Sequence, residues 1–180
     1  MKIAVHPPIE QFVVDPFAGR TVADVVDHGP LAALAQGGDW RAKMERLEAA
    51  IESDLPPLDL PVKHRFARGV YARELFIPKG TVLTGRIHKY SQINVLLAGD
   101  ISVLTENGIQ RVRPPFVVES PAGTKRVAYA HEDTIWLTIC GTKTTDTDVL
   151  EDELTTRTYA EYDAFCAGLL EGSTTCLLQP

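Results

Sequence analysis

The stretch Gly80–Gly99, GTVLTGRIHKYSQINVLLAG, decides how this 180-residue chain is read. Its β-branched and apolar residues form two strand patterns, TVLTGRIH (81–88) and QINVLLA (92–98), which read as a hairpin around the polar turn Lys89-Tyr90-Ser91. Successive side chains of a strand point to opposite faces, so Arg86 and His88 share one face, as do Gln92, Asn94 and Leu96 on the returning strand. The expectation is a cluster of polar groups meeting across one pair of strands.

Outward from this stretch the texture stays the same. VKHRFA, GVYARELFI, DISVLT, IQRVR, FVVES, KRVAYA and TIWLTIC follow one another from Val62 to Cys140, separated by turn signals such as Pro78-Lys79-Gly80, Gly99-Asp100 and Pro121-Ala122-Gly123. Asn107-Gly108 marks a two-residue hairpin loop, because such a loop needs positive φ at both positions. Many short strands at this spacing predict an antiparallel sandwich or jelly roll.

The flanks are helical or irregular. Frequent Pro and Gly break residues 1–38, where TVADVV and PLAALAQ read as short helices. Asp39 is a suitable N-cap for WRAKMERLEAAIESD, and Trp40, Met44, Leu47 and Ile51 make one apolar stripe expected to pack on its own domain. LPPLDLP (55–61) reads as an extended connector. After Cys140 a polar loop leads to two helical pieces, VLEDEL and TYAEYDAFCAGLL, with Tyr159, Tyr162 and Phe165 covering the barrel and a tail from Gly172 that frays. The expected domains are an N-terminal extension over 1–61, a β-barrel over 62–140, and C-terminal helices and tail over 141–180.

Two spacings resemble the signatures of the cupin superfamily. In G-x5-H-x-H-x3,4-E-x6-G, the positions of this chain are Gly80, Arg86, His88, Gln92 and Gly99. In G-x5-P-x-G-x2-H-x3-N, they are Pro115, Pro121, Gly123, Arg126 and Ala130. The frame fits, but Arg86, Gln92 and Arg126 stand where the family places metal-binding His and Glu. The resemblance implies an all-β cupin-type jelly-roll barrel with N- and C-terminal helical extensions. More narrowly, the chain is similar to short cupin-like proteins of unassigned role in bacteria and phages. It also implies homodimers, which edge strands favour on physical grounds.

Composition narrows the function classes. At 44% hydrophobic and 23% charged residues the chain is an ordinary globular one. A net charge of −6 speaks against nucleic acid as a partner, since phosphate binding needs clustered Lys and Arg. No apolar run has the length of a membrane span and the start does not read as a signal peptide, so a cytoplasmic, membrane-free protein is expected. Three cysteines without metal spacing suit a reducing compartment.

Inside the barrel, Arg86 and Arg126 would need neutralising by Glu74, by Glu119 or by an anionic ligand, because an unpaired buried charge is costly. The leading expectation is a cupin-like protein with a degenerate metal site and no assigned catalysis. It binds a small anionic molecule through Arg86, His88, Gln92, Arg126, Asn94 and Tyr90, and needs no cofactor. The second is a metal-dependent oxygenase or isomerase, with Fe, Mn, Ni or Zn on His88 and on Gln92, Glu74, His64 or His131. The third is a structural or accessory protein, of phage origin, using the barrel as scaffold. Cys140 reads as a buried structural thiol rather than a nucleophile served by His131.

Overall fold

A computed structural model describes residues 39–54 and 58–176. The segments TVADVV and PLAALAQ, and residues 177–180 of the tail, lie outside them. The strands are β1 (Val62–Ala67), β2 (Val70–Ile77), β3 (Val82–Thr84), β4 (Ile87–His88), β5 (Gln92–Ala98), β6 (Ile101–Thr105), β7 (Gly108–Val112), β8 (Phe116–Ser120), β9 (Val127–Ala130), β10 (Thr134–Gly141) and β11 (Thr155–Thr156). The helices are α1 (Trp40–Asp54), α2 (Thr147–Leu154) and α3 (Tyr159–Cys176).

The strands pair antiparallel throughout. One sheet has the order β1-β2-β10-β5-β8, the second β3-β9-β6-β7, and β11 pairs with β4. This is an antiparallel double-sheet jelly roll with helical extensions, the class that its strand pattern predicts. Two details differ from the sequence reading. The run 81–88 is interrupted at Gly85-Arg86, where the Gly85 amide bonds to the Arg126 carbonyl at 3.1 Å, and it yields β3 and β4 instead of one strand. Nor does this run form a hairpin with β5. The Lys89-Tyr90-Ser91 turn crosses between sheets, so β3 pairs with β9, β4 with β11, and β5 with β10 and β8. A short connection between strand patterns does not decide which edges pair; burial of both inner faces does.

The Asn107-Gly108 signal does mark a hairpin, β6–β7, with the loop one residue earlier than expected: Thr105 pairs with Gly108, whose φ is 105°. Helix α1 starts as its sequence suggests, with the Asp39 carboxylate accepting from the Arg41 amide at 3.2 Å. Its stripe packs on its own domain: Met44, Leu47 and Ile51 are buried with Val82, Leu104, Val127 and Tyr159. Lys125, itself buried, reaches Glu48 at 2.5 Å and fastens the helix to the strand entering β9. Helix α1 is therefore part of the barrel's packing rather than an appendage. The outer face of the five-stranded sheet is different, with Phe76, Ile93, Leu97 and Val117 exposed.

The turn after β5 explains both ends of the first signature's final glycine. Gly99 has φ 96°, and a Cβ there would lie 2.5 Å from the Asp133 carbonyl oxygen, so no other residue fits without moving backbone. Next to it, Asp100 is 1% exposed and binds Arg111 in two-pronged fashion at 2.8 and 2.9 Å and Arg113 at 2.7 Å. Hydrogen bonds from Arg111 and Arg113 hold the Asp100 carboxyl down at about 2. Because the folded value lies below the unfolded one, this contribution is complete above about pH 4 and disappears as pH falls toward 2. Asp100→Asn is expected to cost about 2 kcal/mol at pH 7 and to flatten the loss of stability between pH 4 and 2, read from urea unfolding at each pH.

Candidate functional site

The register lays out the barrel interior in layers. On β2, Tyr71, Arg73, Leu75 and Ile77 face inward in turn, and β10 sets Cys140, Thr138, Trp136 and Thr134 opposite them. Asn94 lies beside Thr138 and Leu96 beside Trp136 on β5. The layers thus pass from polar to apolar along the barrel. The other sheet repeats the order, with Gly85 and Arg126 at one end and Leu83, Ala128 and Val103 next along.

Between the sheets lies a cavity of about 170 Å³. Its polar wall carries Arg73, Arg86, Arg126, His88, Gln92 and Asn94, with Glu151 contributed by α2. Five residues singled out in the sequence therefore meet there: Arg86, His88, Gln92, Asn94 and Arg126. Tyr90 does not line it. Its side chain is 48% exposed and meets Phe165 edge-on at 5.6 Å, because the turn carrying it crosses the outside of the barrel.

Arg86 is neutralised from within the chain. Its Nε lies 2.5 Å from Glu151 and its Nη1 3.4 Å from Asp152, both on α2. The break at Gly85-Arg86 is what turns this side chain toward the helix. Arg126 donates to Ser120 Oγ, which also accepts from Asn94 Nδ2 at 2.8 Å. Asn94 Oδ1 in turn accepts from Trp136 Nε1 at 3.1 Å and Thr138 Oγ1 at 2.8 Å, so the amide is orienting its neighbours rather than free for a ligand.

The residue the sequence reading missed is Arg73. It sits mid-strand on β2, inward between Tyr71 and Leu75, and its Nε and Nη2 are buried without a hydrogen-bond partner. Burial drags its guanidinium down to about 10. The signal was present: an Arg in phase with Tyr71, Leu75 and Ile77 on an alternating strand must point where they point. Its neighbour Glu74, considered as a neutraliser or ligand, faces the other way and pairs with Lys63 at 3.0 Å and Arg65 at 2.8 Å on the outer surface. Glu119 is likewise outward and exposed on β8.

Burial, followed by the charges of Arg73 and Arg126, lowers His88 to about 4. At neutral pH it is an uncharged imidazole with one donor and one acceptor nitrogen. His64 lies at the cavity wall with Nδ1 2.8 Å from the Tyr71 hydroxyl, and His131 is engaged elsewhere with Ser102 Oγ at 2.7 Å and the Tyr129 ring. Cys140 is buried, contacts Gln92 Oε1 at 3.6 Å, and is pushed up to about 11 by burial, so it is a thiol at neutral pH and no nucleophile.

The side chains present do not fit the metal that the fold's signatures imply. Of the expected donors His88, His64 and the neutral Gln92 line the cavity, Arg73 and Arg126 lie on the same wall as His88, and among the described residues no three His, Cys, Asp or Glu come together. Also among them, no helix is long and apolar enough to cross a membrane.

Fold and cavity together define an antiparallel double-sheet jelly roll whose interior carries guanidiniums. No protein-family model matches the chain, and no curated protein matches it. Several solved structures have a similar strand layout over about half of this chain. An acetylacetone dioxygenase from Acinetobacter johnsonii matches at 12% identity and TM-score 0.40, over 46% of this chain and 59% of that one. The putative ethanolamine utilization protein Q of Salmonella typhimurium matches at 12% and 0.42, over 48% and 72%. A cupin-like protein of Thermotoga maritima matches at 15% and 0.41, over 47% and 69%. These likenesses concern strand layout, and the residues in the cavity are this chain's own.

A histidine lowered by burial makes the fold sensitive to mild acid. Below its ordinary value near 6.5 the unfolded chain takes up a proton that the folded chain refuses until about pH 4, so stability falls as pH drops through that window. Ring resonances of His88 are expected to stay unshifted from pH 8 to 5, and Arg73→Gln to raise the titration toward the ordinary range, both read by NMR.

Proposed function

We propose that this protein binds a small organic anion inside the barrel, with Arg73 and Arg126 as the charged anchors and the neutral His88 and Gln92 as hydrogen-bonding groups beside them. The observation that carries the reading is Arg73: a half-buried side chain whose Nε and Nη2 are closed off from solvent and lack any acceptor. A group of this kind is costly to leave unmatched, and a planar fork of donors suits a carboxylate or phosphate oxygen pair. Charge points the same way. The cavity wall holds Arg73, Arg86 and Arg126 against the single carboxylate of Glu151, which already serves Arg86.

Among the described residues neither Arg73 nor Arg126 has a carboxylate within ion-pair distance. The guest supplies what the chain omits. Arg86 leaves the anchor set assigned from sequence, and Arg73 enters it. A metal-dependent oxygenase or isomerase finds no support in the donor set, and a pure scaffold leaves the Arg73 burial without a reason.

The test is a melting-temperature panel of carboxylates and inorganic phosphate against wild type, Arg73→Met and Arg126→Gln. An anion held only by the folded state raises the wild-type Tm. Arg73→Met removes a buried, unmatched charge worth about 1–3 kcal/mol or more, so its ligand-free Tm is expected to rise by about 2–4 °C per kcal/mol while the anion shift vanishes. An anion shift that survives in both variants, or an Arg73→Met protein melting below wild type, would overturn the reading.

A further inference from the structure

We infer that the guest is a monocarboxylate with a compact apolar tail, lying along the barrel with its carboxylate against Arg73 and Arg126. This rests on the anion reading above and adds the half of the molecule that reading leaves undefined. The layers carry the argument. Beyond the level of Arg73, Thr138 and Asn94, the next layer of the five-stranded sheet is Leu75, Trp136 and Leu96, and Ile77 follows on β2. On the facing sheet Leu83, Ala128 and Val103 lie on one row of the register and line the same cavity, as does Ile101.

No charged group lines that end. The Trp136 indole, its one polar atom at this level of β10, is already donating to Asn94. The cavity therefore has cations at one end and hydrocarbon at the other, and a guest with charge at both ends would place its second carboxylate among Leu83, Ile101 and Val103 without a donor. Volume sets the length. About 170 Å³ is well below the ~300–1,000 Å³ of sites for drug-sized ligands, so the tail is a few carbons or a single ring.

The layout also explains a division of labour between the sheets. Arg73 comes from the five-stranded sheet and Arg126 from the segment entering the four-stranded one, so each wall of the cavity carries one guanidinium for the carboxylate while the tail fills the space that remains between the sheets.

The experiment is calorimetric titration of the full chain with propanoate, butanoate, hexanoate and octanoate, with adipate as the two-headed match for hexanoate and hexanamide as the uncharged one. Affinity is expected to rise about four-fold per methylene up to a length limit, with adipate and hexanamide each at least ten-fold weaker than hexanoate. Ala128→Leu fills the apolar end and is expected to shorten the best chain by one or more carbons. Should that variant fail to fold, Val103→Ala enlarges the same end and is expected to lengthen it.

Equal affinity along the acid series would overturn the tail while leaving the anion site standing, as would adipate binding as well as hexanoate. Hexanamide matching hexanoate would instead remove the anion site itself. An optimum that ignores both Ala128→Leu and Val103→Ala would show that the tail lies elsewhere, and would also overturn the inference.

Discussion

A guanidinium on the middle of an inward-facing strand, with two buried nitrogens that meet no acceptor, is the constraint around which the interior of this protein is arranged. Arg73 is half-buried, with Nε and Nη2 closed off from solvent, and Leu75 and Ile77 continue its face into the core. Its charge is felt by titratable neighbours: it adds to the burial that lowers His88 and works against the upward push that burial gives Cys140 and Tyr71. This charge is what the anion proposed above would meet. Guanidinium N–H groups offer no lone pair with which to ligate a divalent cation.

Around that charge the other polar groups are mostly committed. Asn94 ties Trp136, Thr138 and Ser120 into one network, and Ser120 carries it on to Arg126. A fully connected network of this kind fixes orientations at low dielectric and leaves the anchors little freedom. Helix α2 completes the wall from outside the two sheets. Its Glu151 and Asp152 hold Arg86, its Leu154 carbonyl accepts from the Lys89 amide, and the strand that follows pairs with Ile87–His88. Arg86 therefore serves as a clasp between barrel and helix. The residue that the signature spacing singled out as an anchor is tied to α2, whereas Arg73 and Arg126 have no carboxylate within ion-pair distance among the described residues.

Much of the layout was legible. Alternation identified nearly every strand, the stripe of Met44, Leu47 and Ile51 located the helix that covers the four-stranded sheet, and Gly80, Gly99 and Gly123 marked backbone positions that take positive φ. The second signature placed Arg126 at the cavity. What misled was proximity in sequence: 81–88 and 92–98 look like partners because a three-residue turn joins them, yet they belong to different sheets. Tyr90 was drawn into the site for the same reason. Arg73 was overlooked because a charged residue in a strand ordinarily marks the solvent face, and only its phase with Tyr71, Leu75 and Ile77 said otherwise.

Local periodicity follows from backbone geometry, so the chain by itself determined which residues are extended, which face each side chain shares with its neighbours, and that donors of hydrogen bonds occupy positions where metal ligands would stand. Charge compensation is a different kind of property, because it depends on which groups lie within a few ångströms in space. Whether a given arginine meets a carboxylate is settled by the packing of elements far apart in sequence, here α2 against β4 for Arg86 and nothing comparable for Arg73. Tertiary structure alone decided which cation was spent on the fold and which was left facing the cavity.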